Sequence, residues 1–456
     1  MRIAYSLNVL GPADSPIRPG QTEFVPQYYL LENLTVGLVQ DDSTSPSGYA
    51  PGLAESWKRP SPSVWTFHLR KGLLWSDGTE ILPEQIAECL YRIREGNGPH
   101  IGSLKLLKRV EFQDSTLRLS FGAPVGPGLL HELSLADAGI VHPKNFAGDW
   151  SVVSGPYKIL SYMPRRSLML GKNKKFIGSE DFPETVELLP MSAENLLGFF
   201  DTIDIDVIKV PMRVRATHFG PIFERAPQTY AGYPTEIHFL SFSSNSWLVE
   251  DLPARTAFAK ISQRELQASV SGSFSTEDQF IPEGFRGRLP SKVELSASSE
   301  EALRGKAIKI VLSDSYKGLE AAFSKIVAAL HALGCNAEIR FVGYSGSSTA
   351  DGDVRMISFI GKQRDPSGSW RFLFSEDGGL APFRQRAAAH LNLLALAQPN
   401  RETRETLDSL HRAAIAEAFG VPIFVDSSAI LASDRVDLSR INRFDMRMRF
   451  YEMRWR

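Results

Sequence analysis

Between Val64 and Ile93 the chain reads VWTFHLRKGLLWSDGTEILPEQIAECLYRI, and three local rules leave this stretch little conformational choice. Trp65, Phe67 and Leu69 alternate with Thr66, His68 and Arg70, which predicts a strand with one wet face. Asp77-Gly78 signals a turn, because glycine takes a positive φ without steric cost, and Thr79 helps to close it. Pro83 suits the first turn of a helix, where a missing N–H costs nothing. Ile86, Leu90 and Ile93 then recur at helical spacing. The preceding LAESWKRPSPS supplies a partner strand joined through Pro60-Ser61-Pro62, so the unit is predicted as hairpin, turn and helix.

The same rules place the other elements. A strand is predicted over residues 3–9, an apolar helix over 26–38 ending near Gly37, and a polar loop over 41–49. Hairpins are predicted around Asp114-Ser115 and around Pro164-Arg165-Arg166. EIHFLSFSS from Glu236 reads as a strand and LPARTAFAKISQRELQASV from Leu252 as an amphipathic helix. From Ala307 a β-α-β unit follows, with Gly334 ending its helix. A helix over 402–419 leads through GVPIFVDSSAI to a terminal strand, DMRMRFYEMRWR. In that strand Arg447 and Arg449 are expected on a solvated face, alternating with Met446, Met448 and Phe450.

At 456 residues the chain is too long for one core, so two or three domains are expected. A net charge of −1 leaves no global electrostatic footprint for nucleic acid or an anionic membrane. No apolar run approaches the roughly 18 residues of a membrane span. Cys89 and Cys335 read as two separate buried thiols in preference to a disulfide. MRIAYSLNVLGPADSP has none of the regions of a secretory leader, which implies either a leader removed ahead of it or a cytoplasmic protein.

Catalytic patterns are missing as well. GYSGS at 343–347 lacks the second glycine of a nucleophile elbow and reads as a loop turn. The nine histidines are scattered, without a His-Glu-x-x-His pair, and read as surface or satisfied core residues. There is no phosphate-binding or dinucleotide glycine fingerprint. The chain is therefore expected to be no enzyme, with no catalytic residues, cofactor or metal ligands.

LAESWKRPSPSVWTFHLRKGLLWSDGTEILPEQI resembles the signature of the peptide- and nickel-type solute-binding proteins of ABC importers, solute-binding family 5. SGPYKIL with the later GKNKKF, EDLPARTAFAKISQREL with Arg255 and Ala257 in register, IGKQRDPSGSWRFLF and AEAFGVPIFVDSSAI resemble further family blocks, in family order. The resemblance implies an α/β, two-lobe periplasmic-binding-protein-like fold of type II with an extra subdomain in the first lobe. On this reading residues 1–37, 151–237 and 425–456 form the first lobe, 38–150 its extra subdomain, and 238–424 the second lobe. Trp65 and Trp75 then fill the subdomain core and Asp77 and Thr79 tie its turn, as scaffold and not as ligand contacts.

The implied function is extracytoplasmic capture of a peptide or other small solute between two closing lobes, for delivery to an ABC permease by a monomeric protein. The alternatives are a ligand sensor without a transport role, cytoplasmic or in the envelope, and a hydrolase on a two-lobe scaffold. The resemblance puts ligand contacts at Tyr28 and Tyr29, at Ser241, Ser243 and Asn245 by the lobe crossing, and at Phe359, Gly361 and Lys362. Lys362 stands where peptide-binding members carry the aspartate that pairs with a ligand's α-ammonium. An ammonium about 4 Å from a lysine, at an effective dielectric of about 20, costs about 4 kcal/mol. The expected ligand is therefore anionic or lacks a free amino terminus at that place. A second departure is the region 283–307, where the family's usual helix has no clear match beyond SSEEALRG.

Overall fold

A computed structural model describes the chain except residues 8–9, 12–14, 20–24, 43–44, 46, 97–101, 178–180, 191–203, 213–220, 271–273, 344–350, 361–365, 376–377, 397–400 and 445. It divides into two compact units: Met1–Val210, Phe219–Gly232 and Ser428–Arg456 form the first, and Pro211–His218 with Tyr233–Ser427 the second.

In the first unit Val64–Leu69 pairs antiparallel with Ala54–Ser61 on one side and Thr116–Phe121 on the other, and Leu107–Gln113 completes a four-stranded sheet. The predicted alternation is visible in Trp65, Phe67 and Leu69, all buried, and in the half-exposed His68 and Arg70, but Thr66, expected on the wet face, is buried too, beneath the neighbouring strands on both sides. Trp75-Ser76-Asp77-Gly78 closes as predicted: Thr79 donates from its amide (2.9 Å) and hydroxyl (2.7 Å) to Asp77 Oδ1, and Gly78 sits at φ 90°. Those two hydrogen bonds hold the Asp77 carboxyl below its ordinary pKa. Helix Pro83–Glu95 follows, with Ile86, Leu90 and Ile93 buried. Asp114 and Arg165 adopt φ of 53° and 59° in the two predicted hairpin turns.

The unit's larger sheet runs, in spatial order, Gln228–Ala231, Ser428–Ala432, Val207–Pro211, Arg2–Tyr5, Thr185–Pro190, Ser167–Lys172 and Tyr157–Met163. Its first strand is shorter than the predicted 3–9, and Asn8 and Val9 lie outside the described residues.

The terminal strand is not formed as expected. Residues 446–449 have no regular structure, Phe450–Glu452 is a 3₁₀ turn, and only Arg454–Trp455 pairs, with Val436–Asp437. Arg447 and Arg449 are buried along with Met446, Met448 and Phe450, so no solvated face exists. The reason lies in helix Val25–Leu34: Asn33 donates to the Met448 carbonyl (2.7 Å) and accepts from the Phe450 amide (2.8 Å), and Glu32 pairs with both arginines. These side chains take the place of a sheet ladder.

The second unit is built on a mixed six-stranded sheet in the order Ser275–Thr276, Gly420–Asp426, Glu236–Phe242, Val354–Ile360, Ala307–Ser313 and Asn336–Val342. The last two strands are parallel and connected by helix Glu320–Ala332, which ends at Gly334 with φ 76°. Helix Leu252–Val270 buries Arg255, whose guanidinium donates to the carbonyls of Leu248 (2.9 Å), Val249 (2.6 Å) and Glu417 (2.9 Å). The residue that matched the family pattern therefore ties three chain segments together. Cys89 and Cys335 are free and buried, one in each unit.

His411 lies deep in the second unit, accepting from the Phe280 amide (3.2 Å) and donating from Nδ1 to the Gly287 carbonyl (3.1 Å). Burial lowers its pKa to about 4. The folded protein thus keeps it neutral where the unfolded chain, at about 6.5, takes a proton. Its contribution is complete above pH 6.5 and falls away as the pH drops toward 4, a loss of about 3 kcal/mol. Urea unfolding across that window should show this slope, and His411→Gln should flatten it. Equal slopes in both proteins would refute the assignment.

Candidate functional site

In the first unit Tyr28 and Tyr29 occupy successive positions of helix Val25–Leu34, so their rings diverge, at 72° with centroids 6.4 Å apart. The Tyr28 hydroxyl accepts the Ala136 amide (3.0 Å), and its ring lies 5.9 Å from the Arg447 guanidinium carbon. Burial pushes that hydroxyl well above the ordinary phenol range. These contacts pack the Tyr28 ring against the core of the first unit. Tyr29 differs, because Lys209 Nζ donates to its hydroxyl (2.8 Å) and lies 4.4 Å from its ring centroid. Both residues are half-exposed. The pair offers an ammonium held in place by a phenol, a group suited to a carboxylate or phosphate.

Ser241, Ser243 and Asn245 lie at or just past the end of strand Glu236–Phe242 that is farther along the chain from Tyr233. The second unit takes Pro211–His218 and then the continuous run Tyr233–Ser427. Strand Glu236–Phe242, seven residues and about 20 Å long, carries these three to its opposite end. Ser241 donates to the Gly379 carbonyl (2.7 Å), the Ser243 amide donates to the Asp353 carbonyl (2.9 Å), and Asn245 is exposed. Ser243 and Asn245 lie in the short loop between that strand and the 3₁₀ segment Trp247–Val249.

Phe359 is buried against Phe372, stacked at 5.3 Å, and stands opposite Ile237 in the sheet. Ser241 stands opposite Arg355, four positions along, so the serines and Phe359 do not share one spot. Gly361 and Lys362 fall outside the described residues. The last described position before them, Ile360, pairs with Glu236.

Two groupings escaped the sequence reading. Lys209 joins Tyr29 across 180 residues of chain. In the second unit Glu236 and His238 meet Asp426. A Glu-x-His pair on a predicted strand was a usable signal; the strand that would oppose it was not legible.

With the geometry in place, comparison with known proteins is informative. The bacterial extracellular solute-binding proteins, family 5 (middle region), match residues 48–379. The periplasmic oligopeptide-binding protein OppA of Salmonella typhimurium is 25% identical over 205 residues, 39% of this chain and 37% of that protein, so the match spans well under half the relative's length. Two solved structures cover all of this chain and 98% of their own. The periplasmic binding protein AgaA with agropinic acid, from A. tumefaciens R10, has a TM-score of 0.82 at 17% identity. DppA from Helicobacter pylori, in complex with the peptide STSA, has a TM-score of 0.80 at 16% identity. At these identities the likeness establishes the fold, the α/β two-lobe periplasmic-binding-protein class. The family and these relatives are binding proteins. Among the described residues no helix is long and apolar enough to cross a membrane.

Proposed function

From the premise that this chain belongs to the family 5 solute-binding proteins of ABC importers, we propose that it captures a small anionic or amino-blocked solute outside the cytoplasmic membrane and delivers it to a permease. The family match over residues 48–379 carries the transport reading. The ligand class is supported by Lys209, held against Tyr29 in the first unit, and separately by the family resemblance, which implies that Lys362 replaces the aspartate of peptide-binding members. A lysine ammonium favours a carboxylate or phosphate through a charge-assisted hydrogen bond worth roughly 1.5–3 kcal/mol.

Small molecules released from the purified, denatured protein identify the solute by mass spectrometry, and calorimetry then measures its affinity. Lys209→Met and Lys362→Asp should each weaken it more than about tenfold, while free-amine di- to pentapeptides bind poorly to the parent protein. Tight binding of such peptides, with both substitutions near neutral, would refute the anionic class and leave a peptide carrier. Absence of any bound or binding solute would refute the capture role itself.

A further inference from the structure

Strand Glu236–Phe242 carries Glu236 and His238 two residues apart, on the same face of the sheet. On the neighbouring strand Asp426 stands directly opposite Glu236, and Phe424 opposite His238. The register slips just after His238, and such a bulge re-aims the adjacent side chain. Three donors converge there. His238 Nε2 lies 3.7 Å from Glu236 Oε1 and 4.0 Å from Asp426 Oδ2. One ligating atom from each residue lies within 4.8 Å of the other two.

The imidazole is oriented from behind. Its Nδ1 is 2.9 Å from the Tyr316 hydroxyl, and its ring stacks on Phe424 at 4.5 Å. Asp426 is likewise fixed, since its Oδ1 accepts the Ser427 amide (2.8 Å). A histidine with one nitrogen hydrogen-bonded and the other turned to carboxylates is the arrangement that metal-binding imidazoles share. Separations of 3.7 and 4.0 Å are too long for hydrogen bonds. They exceed by about 0.4 and 0.7 Å the roughly 3.3 Å between two ligands placed ~2.0–2.1 Å from one tetrahedral ion, so the side chains close in on a bound ion by less than an ångström.

We propose that Glu236, His238 and Asp426 bind a divalent first-row transition-metal ion, through His238 Nε2, Asp426 Oδ2 and the Glu236 carboxylate. His238 and Asp426 are almost wholly buried and fixed, whereas the Glu236 side chain is 15% exposed and closes the site by rotating. Imidazole and carboxylate donors without a thiolate suit Zn²⁺, Mn²⁺, Co²⁺ or Ni²⁺ over Cu⁺. The site lies within the second unit, whereas the Tyr29–Lys209 pair belongs to the first.

The test titrates the full chain, stripped with a chelator, with Zn²⁺ alone by calorimetry and with Co²⁺ by visible absorption. One Zn²⁺ per chain should bind at micromolar or tighter affinity, and Co²⁺ should give the band of a nitrogen and oxygen ligand set. Glu236→Gln and Asp426→Asn should each weaken Zn²⁺ by about tenfold or more, and Tyr316→Phe by about tenfold through the lost imidazole support. Glu236→Gln preserves size at a partly exposed position, and an unchanged circular dichroism spectrum verifies its fold. His68→Ala, which removes the exposed histidine 3.4 Å from Glu55 Oε1, should leave binding intact. No stoichiometric Zn²⁺, or an affinity that Glu236→Gln and Asp426→Asn both leave unchanged, would overturn the proposal.

Discussion

Replacing Glu32 with alanine should lower the unfolding free energy by about 3–5 kcal/mol. Its carboxylate lies 2.7 Å from Arg447 Nη1 and 3.0 Å from Arg449 Nε, and all three side chains are about nine-tenths buried. Burial alone would raise the Glu32 pKa, but the two guanidiniums outweigh it and hold the carboxyl below its ordinary value. Removing Glu32 leaves two buried cations short of their shared anion. Asp41, 3.3 Å from Arg447, and Glu452, 3.1 Å from Arg449, remain, which places the expectation toward the lower end. Glu32→Gln keeps an acceptor and should cost less. Urea unfolding measures both, and a loss below about 1 kcal/mol for alanine would mean that Asp41, Glu452, Asn33 and packing hold the C-terminal segment without Glu32.

Trp75→Ala should cost about 3–5 kcal/mol for the cavity it opens. The indole is fully buried, meets His142 edge-on at 5.1 Å, and donates from Nε1 to Gln85 Oε1 (3.0 Å). Gln85 Oε1 also accepts the Leu82 amide (3.0 Å), so one side chain binds both the turn and the helix start. Trp75→Phe keeps much of the volume and loses one hydrogen bond, and its cost should be nearer 1–2 kcal/mol. Neither change should alter solute affinity in protein that remains folded, because Trp75 serves the scaffold. A folded Trp75→Phe protein with strongly weakened solute binding would contradict that role.

Local chemistry was enough to write down the hairpin at Val64, the Asp77-Gly78 turn, the helix opening at Pro83 and the β-α-β unit from Ala307. In each, neighbouring residues settle the conformation: alternation sets the strand, a positive φ sets the turn, and proline sets the helix start. The family blocks were legible for the same reason, since Arg255 and Trp75 sit in short runs whose order survives on the page.

The C-terminal segment shows where that reading stops. DMRMRFYEMRWR alternates like a strand, yet Arg447 and Arg449 are buried because Glu32, more than four hundred residues earlier, neutralises them. EIHFLSFSS was read as one strand, and Ser241 lies in it, but the strand ends at Phe242 and leaves Ser243 and Asn245 in the following loop. Lys209 with Tyr29, and Asp426 with Glu236 and His238, pair through register between strands or elements far apart in sequence. Periodicity states which face a side chain takes; only the packed sheet decides which distant charge stands opposite it, because that choice is made by the burial of the whole core and not by the residues beside it.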